Sequence, residues 1–196
     1  MLIIKTNPVG IDVYIQNLQT RIHNDLKTEF GFTGDATEYE AYGRAYRNKK
    51  VNGYTAEVFT GNLEYKEVYW NDQLKVLSFF GIGNNVKRGL KSEAEVHFVL
   101  FADLQKLAME DKTGATISHR ADEELRQLVT SIIGRYSDGF TLLSTDTGIE
   151  NVLREYPGSI RDERLKYVDM HPVHCFRLNL KLLFDPNKNC STLSIK

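Results

Sequence analysis

The stretch Phe176-Arg177-Leu178-Asn179-Leu180-Lys181-Leu182-Leu183-Phe184 alternates apolar and polar side chains almost without a break, the period of a long β-strand with one face in a core. A strand this late in the chain has to return to a sheet already laid down, so its partners lie upstream. Glu95 to Phe101 sets Val96, Phe98 and Leu100 against His97, Val99 and Phe101, which predicts a strand covered at least partly on both faces. Leu74 to Ile82 follows the Asn71-Asp72 turn signal as another apolar run. Earlier still, Val51-Asn52-Gly53-Tyr54 carries the Asn-Gly pair that supplies the two positive φ angles of a tight hairpin turn. Tyr54, Ala56 and Val58 alternate with Thr55 and Glu57, and Leu63, Tyr65 and Tyr69 continue the pattern after Gly61-Asn62. Together these pieces predict an antiparallel meander.

On either side of the meander the period changes to about 3.6. Ile11, Tyr14, Ile15, Leu18, Ile22 and Leu26 predict a first helix stopped at Gly31, and the segment from Thr33 to Tyr46 is expected as a loop leading into a strand. Ala121, Leu125, Leu128, Val129, Ile132 and Ile133 predict a second helix, with Ser118 as its N-cap and Gly134 at its end. Thr147-Gly148-Ile149-Glu150 fits a capping box, so a third, shorter helix is expected there, with Ile149, Val152, Leu153 and Tyr156 as its apolar stripe and Pro157 as its end. The fold class that follows is α+β: an antiparallel β-sheet meander with helices packed on one face. One domain over residues 1–185 is expected, with residues 83–94 as a projecting loop and residues 186–196 as a polar tail.

The 196 residues are 41% hydrophobic and 26% charged, the composition of a globular chain. Lys and Arg total 25 against 26 Asp and Glu, for a net charge of −1, so there is no overall electrostatic footprint of a dedicated nucleic-acid binder. Cys175 and Cys190 are too few for a disulfide scaffold and lack zinc-ribbon spacing, which points to a reducing compartment. The first residues lack a basic segment followed by a long apolar one, and no stretch approaches the ~18 apolar residues of a membrane span. A soluble protein that folds where it is made, without a membrane partner, is therefore expected.

Three patterns bear on chemistry. His171-Pro172-Val173-His174-Cys175 holds metal-ligand types, yet spacing of i, i+3 on an extended chain puts the two imidazoles on opposite faces, so ordinary residues at the start of a strand are the better reading. Gly81-Ile82-Gly83-Asn84-Asn85 lacks the third glycine and the strand-helix context of a phosphate loop. Glu64-Tyr65-Lys66 has the carboxylate-x-lysine form of a metal-dependent nuclease, a form also common on solvated strand faces. No Walker, HExxH, GxSxG or kinase signature occurs, and no catalytic residue, metal or cofactor is expected.

The order of helix, meander, helices and return strand, together with the run from Val58 to Phe80, resembles tailed-bacteriophage head-tail joining and tail-terminator proteins. In these a hairpin region reads roughly g-x-E-Y-x-x-v-x-x-x-D followed by s-F-F, and Glu64, Tyr65, Asp72, Phe79 and Phe80 stand at those places. With the segment from Glu95 to Leu107 included, the pattern looks most like the neck ring proteins of crAss-like phages, and it extends over most of residues 10 to 185. The resemblance implies a non-enzymatic virion protein, made in the host cytoplasm. It would form a homo-oligomeric ring, often of twelve subunits beside the portal or six at the end of a tail tube. Its partners would be the portal, other neck or tail proteins, and passing double-stranded DNA bound without sequence specificity. The alternatives are a terminator that ends a tail tube and a small metal-dependent phage nuclease. Under the ring reading, the candidate contact residues are Lys87, Arg88 and Lys91 on the basic loop, facing DNA or protein, and Tyr65 and Tyr69 on the meander, since tyrosine is favoured at interfaces. Tyr39, Tyr42, Tyr46 and Tyr54 join them as candidates for the same surface.

Overall fold

A computed structural model describes residues 1–61, 64–87, 91–107, 121–136, 139–160 and 172–187. Its centre is strand β6 (Ser92–Asp103), in which every residue from Val96 to Asp103 is buried. Because successive side chains leave a strand on opposite faces, burial of such a run requires a core on each side. Val96, Phe98, Leu100 and Ala102 enter one core, while Val99 and Phe101 enter the other. The return strand β8 (Val173–Phe184) pairs antiparallel with β6 over twelve consecutive residues, from Asp103↔Val173 to Ser92↔Phe184, without a bulge.

The sheet extends from this pair in both directions. On one side β5 (Val76–Lys87) pairs antiparallel with β6, and on the other side β7 (Phe140–Thr147) pairs antiparallel with β8. Beyond β5 come β2 (Tyr39–Lys50), β3 (Gly53–Gly61) and β4 (Glu64–Glu67), so the order is β4-β3-β2-β5-β6-β8-β7. A two-residue strand β1 (Leu2–Ile3) pairs with β2 beside β3. The mixed α+β fold is as the sequence indicates, but the meander is not purely antiparallel. β2 runs parallel to β5, and β1 runs parallel to β2. The chain runs through the β2–β3–β4 hairpins before coming back beside β2, and that return is what makes the join parallel.

Helices α1 (Ile11–Glu29) and α2 (Ala121–Arg135) cover one face, where Ile15, Leu18, Ile22, Leu26, Leu125, Val129 and Ile132 pack on Phe80, Phe98, Leu100, Leu178 and Leu180. The third helix breaks the one-face expectation. Helix α3 (Ile149–Val152) and a 3-10 turn (Pro157–Ile160) lie on the opposite face, where Ile149, Val152, Leu153 and Tyr156 meet Tyr42, Val58, Leu77, Phe79 and Phe101. Nor does the capping box form. Gly148 occupies the N-cap position with φ 81° and no side-chain cap, and Pro157 starts the 3-10 turn rather than ending α3. The α2 cap expected at Ser118 lies outside the described residues.

The projecting loop of residues 83–94 is also corrected, because most of it is strand. β5 continues to Lys87, with Val86 opposite Ala94 and Lys87 opposite Glu93, past an irregularity between Ile82 and Val86 that absorbs two extra residues. Ladder pairing satisfies the backbone groups of these residues, which a free loop would leave to water. β7 was not foreseen at all, since its sequence Phe-Thr-Leu-Leu-Ser-Thr-Asp-Thr does not alternate.

Replacing Phe98, buried with its ring tilted against that of Phe80 at 5.0 Å between centroids, by Ala should cost about 3–5 kcal/mol in urea unfolding. The exposed Leu143→Ala should stay within about 0.5 kcal/mol of wild type in the same measurement.

Candidate interaction surfaces

The register of the β2–β3–β4 wing places Tyr65 directly opposite Phe59, and their rings meet edge-on at 5.4 Å. Tyr46 of β2 meets Tyr65 edge-on at 6.0 Å. The Tyr46 ring also carries two cations, the Arg44 guanidinium at 4.6 Å and the Lys5 ammonium at 5.0 Å. Arg44 and Lys5 in turn both pair with the buried carboxylate of Asp12 at the start of α1. The Lys5 ammonium also donates to the Tyr46 hydroxyl, and Gln16 holds the Lys5 backbone through hydrogen bonds of 3.0 Å to both its N–H and its carbonyl. Burial pushes the Lys5 ammonium down, and its hydrogen bonds to Asp12 and Tyr46 outweigh that, leaving its pKa raised. The result is an aromatic platform in which two cations share one carboxylate and both lie over the Tyr46 ring. Exposed aromatic surface of this kind suits a protein neighbour.

Tyr65 stands on this platform with 57% of its surface exposed, and Tyr69, just past β4, is 58% exposed. The other tyrosines divide. Tyr39 and Tyr42 are core residues, and burial raises both phenols far above their ordinary range. They are therefore withdrawn from the contact surface: Tyr39 hydrogen-bonds Ser78 at 2.8 Å and Tyr42 donates to Glu40 at 2.6 Å. Tyr54 is partly exposed beside the Arg47 guanidinium, 5.3 Å from its ring.

In the Glu64-Tyr65-Lys66 triplet, Glu64 points to solvent, while the Lys66 ammonium donates to the Tyr42 hydroxyl at 2.9 Å and lies 3.6 Å from Glu40. Glu40 is one carboxylate, and it is already held by Tyr42. Among the described residues no group of three His, Cys, Asp or Glu side chains converges as a metal site would require. His174 and Cys175, as consecutive strand residues, leave β8 on opposite faces, with the Cys175 thiol in the α3-side core; His171 lies outside the described residues. A cavity of about 200 Å³ opens where α2 begins, lined by Asp122, Leu125, Arg126, Thr147, His174 and Phe176. Arg126 there is engaged with Asp122 and Glu123. Of the basic-tip residues, Lys87 ends β5 and Lys91 is exposed just before β6, while Arg88 lies outside the described residues. Near the tip, Glu93 forms an ion pair with Lys181 at 2.8 Å.

One constellation escaped the sequence. Arg177 looks like a solvent-facing residue of an alternating strand, yet it is 3% exposed. Its guanidinium forks onto the Glu155 carboxylate, with Nη2 to Oε1 at 2.7 Å and Nη1 to Oε2, and its Nε donates to Asn179 Oδ1 at 2.7 Å. Asn179 Nδ2 donates to Ser144 Oγ at 2.9 Å and to Asp146 Oδ2 at 2.8 Å, and Arg154 bonds Asp146 at 2.9 Å. Beside this network the His97 ring nitrogen lies 3.2 Å from the Tyr156 hydroxyl, and both stand over Gly81, where any Cβ would collide with His97 Nε2 and the Tyr156 hydroxyl. The register explains the grouping: Gly81 faces His97, His97 faces Asn179, and Asn179 faces Ser144 across four strands. A polar residue at one height on each strand is the only trace in the sequence, and it becomes visible once the pairing is known.

This network clamps the α3 segment to the sheet. Burial, with the Arg177 charge adding to it, holds His97 neutral with its pKa lowered to about 3. For Glu155, burial pushes upward, but the Arg177 hydrogen bonds, with the charges of Arg177 and Arg154, outweigh it and hold the carboxyl at about 2. Each donor and acceptor is answered by a neighbour, which is the pattern of a structural clamp rather than of a group poised for proton transfer.

Comparison with known protein families, with curated proteins and with solved structures returns no match to this chain.

Two outcomes follow from the clamp. Glu155→Gln should destabilise by about 3 kcal/mol because it takes the bidentate partner from the buried Arg177 and leaves only the longer contact with Asp146, while the joint change Arg177→Met with Glu155→Leu should recover much of the loss in urea unfolding. Acid should also weaken the fold. The unfolded chain takes up a proton on His97 near its ordinary pKa of 6.5, whereas the folded chain waits until about 3. Stability is thus fully present above pH 6.5 and falls as pH drops through that window, at up to about 1.4 kcal/mol per pH unit from this residue. Unfolding free energies measured at pH 7, 6, 5 and 4 check this, and a flat profile would contradict a buried neutral His97.

Proposed function

We propose that the protein is a non-enzymatic virion subunit that assembles head to tail into a ring at the neck of a tailed phage, carrying the DNA channel from the portal toward the tail. The observation that supports this most is where the exposed apolar residues sit. Tyr65 and Tyr69 lie at the β4 end of the sheet, while Leu142 and Leu143, 40% and 55% exposed, lie at the β7 end. Two different sticky patches at opposite ends of one molecule suit a heterologous contact, which closes into a ring when the rotation per subunit divides a circle. A two-fold dimer would instead use one patch twice.

Other features agree with the same reading. The exposed aromatic rings of the platform suit contact with a protein neighbour. Lys87, Arg88 and Lys91, within five residues of sequence, supply local positive charge in a chain of net charge −1, suited to weak, sequence-independent attraction of passing DNA. A ring ending a tail tube differs from a ring beside the portal in its neighbours, not in this chemistry.

Purified chain examined by mass photometry and negative-stain microscopy should give closed rings of one size, and mass spectrometry of purified particles should find the chain in multiple copies per virion. A chain missing from the particles, or Mg²⁺-dependent DNA cleavage that Glu64→Ala abolishes, would sink the proposal.

A further inference from the structure

Two ends of the sheet have no strand beyond them among the described residues, the outer edges of β4 and β7. Edge strands of soluble proteins are ordinarily blunted by lysine, proline, brevity or bulges. β4 follows that rule, with four residues of which three are exposed and two of those are charged. β7 does not. It runs for eight residues with no lysine or proline, its one charge is Asp146, and Thr141 to Thr145 are exposed without interruption. Among the described residues its guard is the irregularity between Leu142 and Ser144. Leu183 of the adjoining strand, 49% exposed, adds to the apolar area at this end.

Resting on the ring reading, we infer that neighbouring copies join by strand addition, the β7 edge of one copy pairing antiparallel with the β4 edge of the next, so that the sheets continue from subunit to subunit. The direction follows from the topology. Between β4 and β7 there are five antiparallel joins and one parallel join, so β7 runs opposite to β4. When a second copy continues the sheet in the same sense, the two edges therefore meet antiparallel, the more stable pairing.

The faces match as well. Phe140 and Leu142 stand opposite Leu182 and Leu180, which belong to the helix-side core, so Leu142 projects on the helix side. Tyr65 shares its side of the wing with Phe59 and Tyr46, next to Lys5 and the start of α1, so it projects on that side too. Lys66 reaches Tyr42 of the α3-side core, and Asp146 stands opposite Arg177 on that same side. Continuing the sheet with Leu142 beside Tyr65 on one face sets Thr141 opposite Lys66 on the other. An aromatic ring against an aliphatic side chain is a favourable cross-strand pair. Pairing β7 with a second β7 about a two-fold axis would leave both β4 edges unused.

The experiment is disulfide trapping between full-length copies carrying single cysteines, with the wild-type chain oxidised in parallel to account for Cys175 and Cys190. Copies with Leu142→Cys mixed with copies with Tyr65→Cys should give a cross-linked heterodimer that neither forms alone, with Thr141→Cys and Leu143→Cys fixing the register. Leu142→Lys with Leu143→Lys should keep the monomer folded, as circular dichroism reads it, and abolish assembly. Closed rings that form without any 65-to-142 or neighbouring cross-link would overturn strand addition while leaving the ring standing. Cross-links of Leu142→Cys with itself alone would overturn it in favour of a two-fold pair. Filaments that trap the 65-to-142 link would support strand addition and sink the ring, and a chain that stays monomeric at every concentration would overturn both.

Discussion

Burial of β6 on both faces is the constraint from which the rest of the structure follows. A strand whose residues from Val96 to Asp103 are all buried cannot stand at an edge or beneath a single helical layer, so the chain must build something on each side of it. The two long helices supply one side and the α3 segment with the β2–β3 hairpin supplies the other. The irregularities of the sheet are placed accordingly. The β6–β8 ladder is unbroken over its whole length, while bulges or shifts fall in β2, in the β3–β4 pair, in β5 beyond Ile82 and in β7. An extra residue in β6 would turn half of its side chains toward the wrong core, whereas at the periphery it only bends a strand.

The shift in β2 shows what such a bend achieves. Tyr39 and Ala41 face the helix-side core, yet Tyr42 and Ala45 both face the other, because the register slips between Ala41 and Arg44. Beyond the slip, Arg44 and Tyr46 point to the α1 side, where they meet Lys5, Asp12 and the aromatic pair of Phe59 and Tyr65. One irregularity thus converts the end of a core strand into the support of an exposed aromatic platform. On the far side of the sheet a buried charge serves a comparable purpose. Arg177 could be replaced by an aliphatic residue with no loss of core volume, but its fork onto Glu155 fixes where the α3 segment sits, which apolar packing alone specifies less sharply.

The sequence carries the parts of this fold that obey a simple period. β8, β6, the Asn-Gly hairpin and the apolar stripes of α1 and α2 stand where alternation and 3.6-residue spacing put them. It does not carry β7, because an edge strand has no face that must be uniformly apolar, and Leu142-Leu143-Ser144 around an irregularity erases the period. Nor does it carry the parallel join of β2 to β5, since parallel and antiparallel partners present the same side-chain pattern. The third helix was legible as an apolar stripe of Ile149, Val152, Leu153 and Tyr156, but not the face it covers. Both faces of β6 are apolar, and only the buried polar row led by Arg177 singles out the face on which Glu155 and Tyr156 dock. Of the proposed contact residues, Tyr65 and Tyr69 are exposed as expected, while Tyr39 and Tyr42 are core, because tyrosine is common to both settings and alternation alone does not separate them.

Among the described residues the β7 edge carries neither lysine nor proline, and such an edge is open to association. Net charge of −1 gives little general repulsion between copies, so association is decided by local features of the surface. Two of these features direct it. The ion pairs of Asp12 with Lys5 and Arg44, both lying over the Tyr46 ring, hold the wing in one shape, which lowers the ordering cost of a partner that settles on it. The second is thickness: among the described residues α1 and α2 build a layer on one face, whereas the α3 segment covers the middle of the other. In the proposed assembly, copies of such a unit joined edge to edge would incline toward the thinner face at every step, with the right-handed twist of the strands adding a rotation of constant sense. Association through the ends would then curve from the first contact onward and lead to a closed ring instead of a flat, growing sheet.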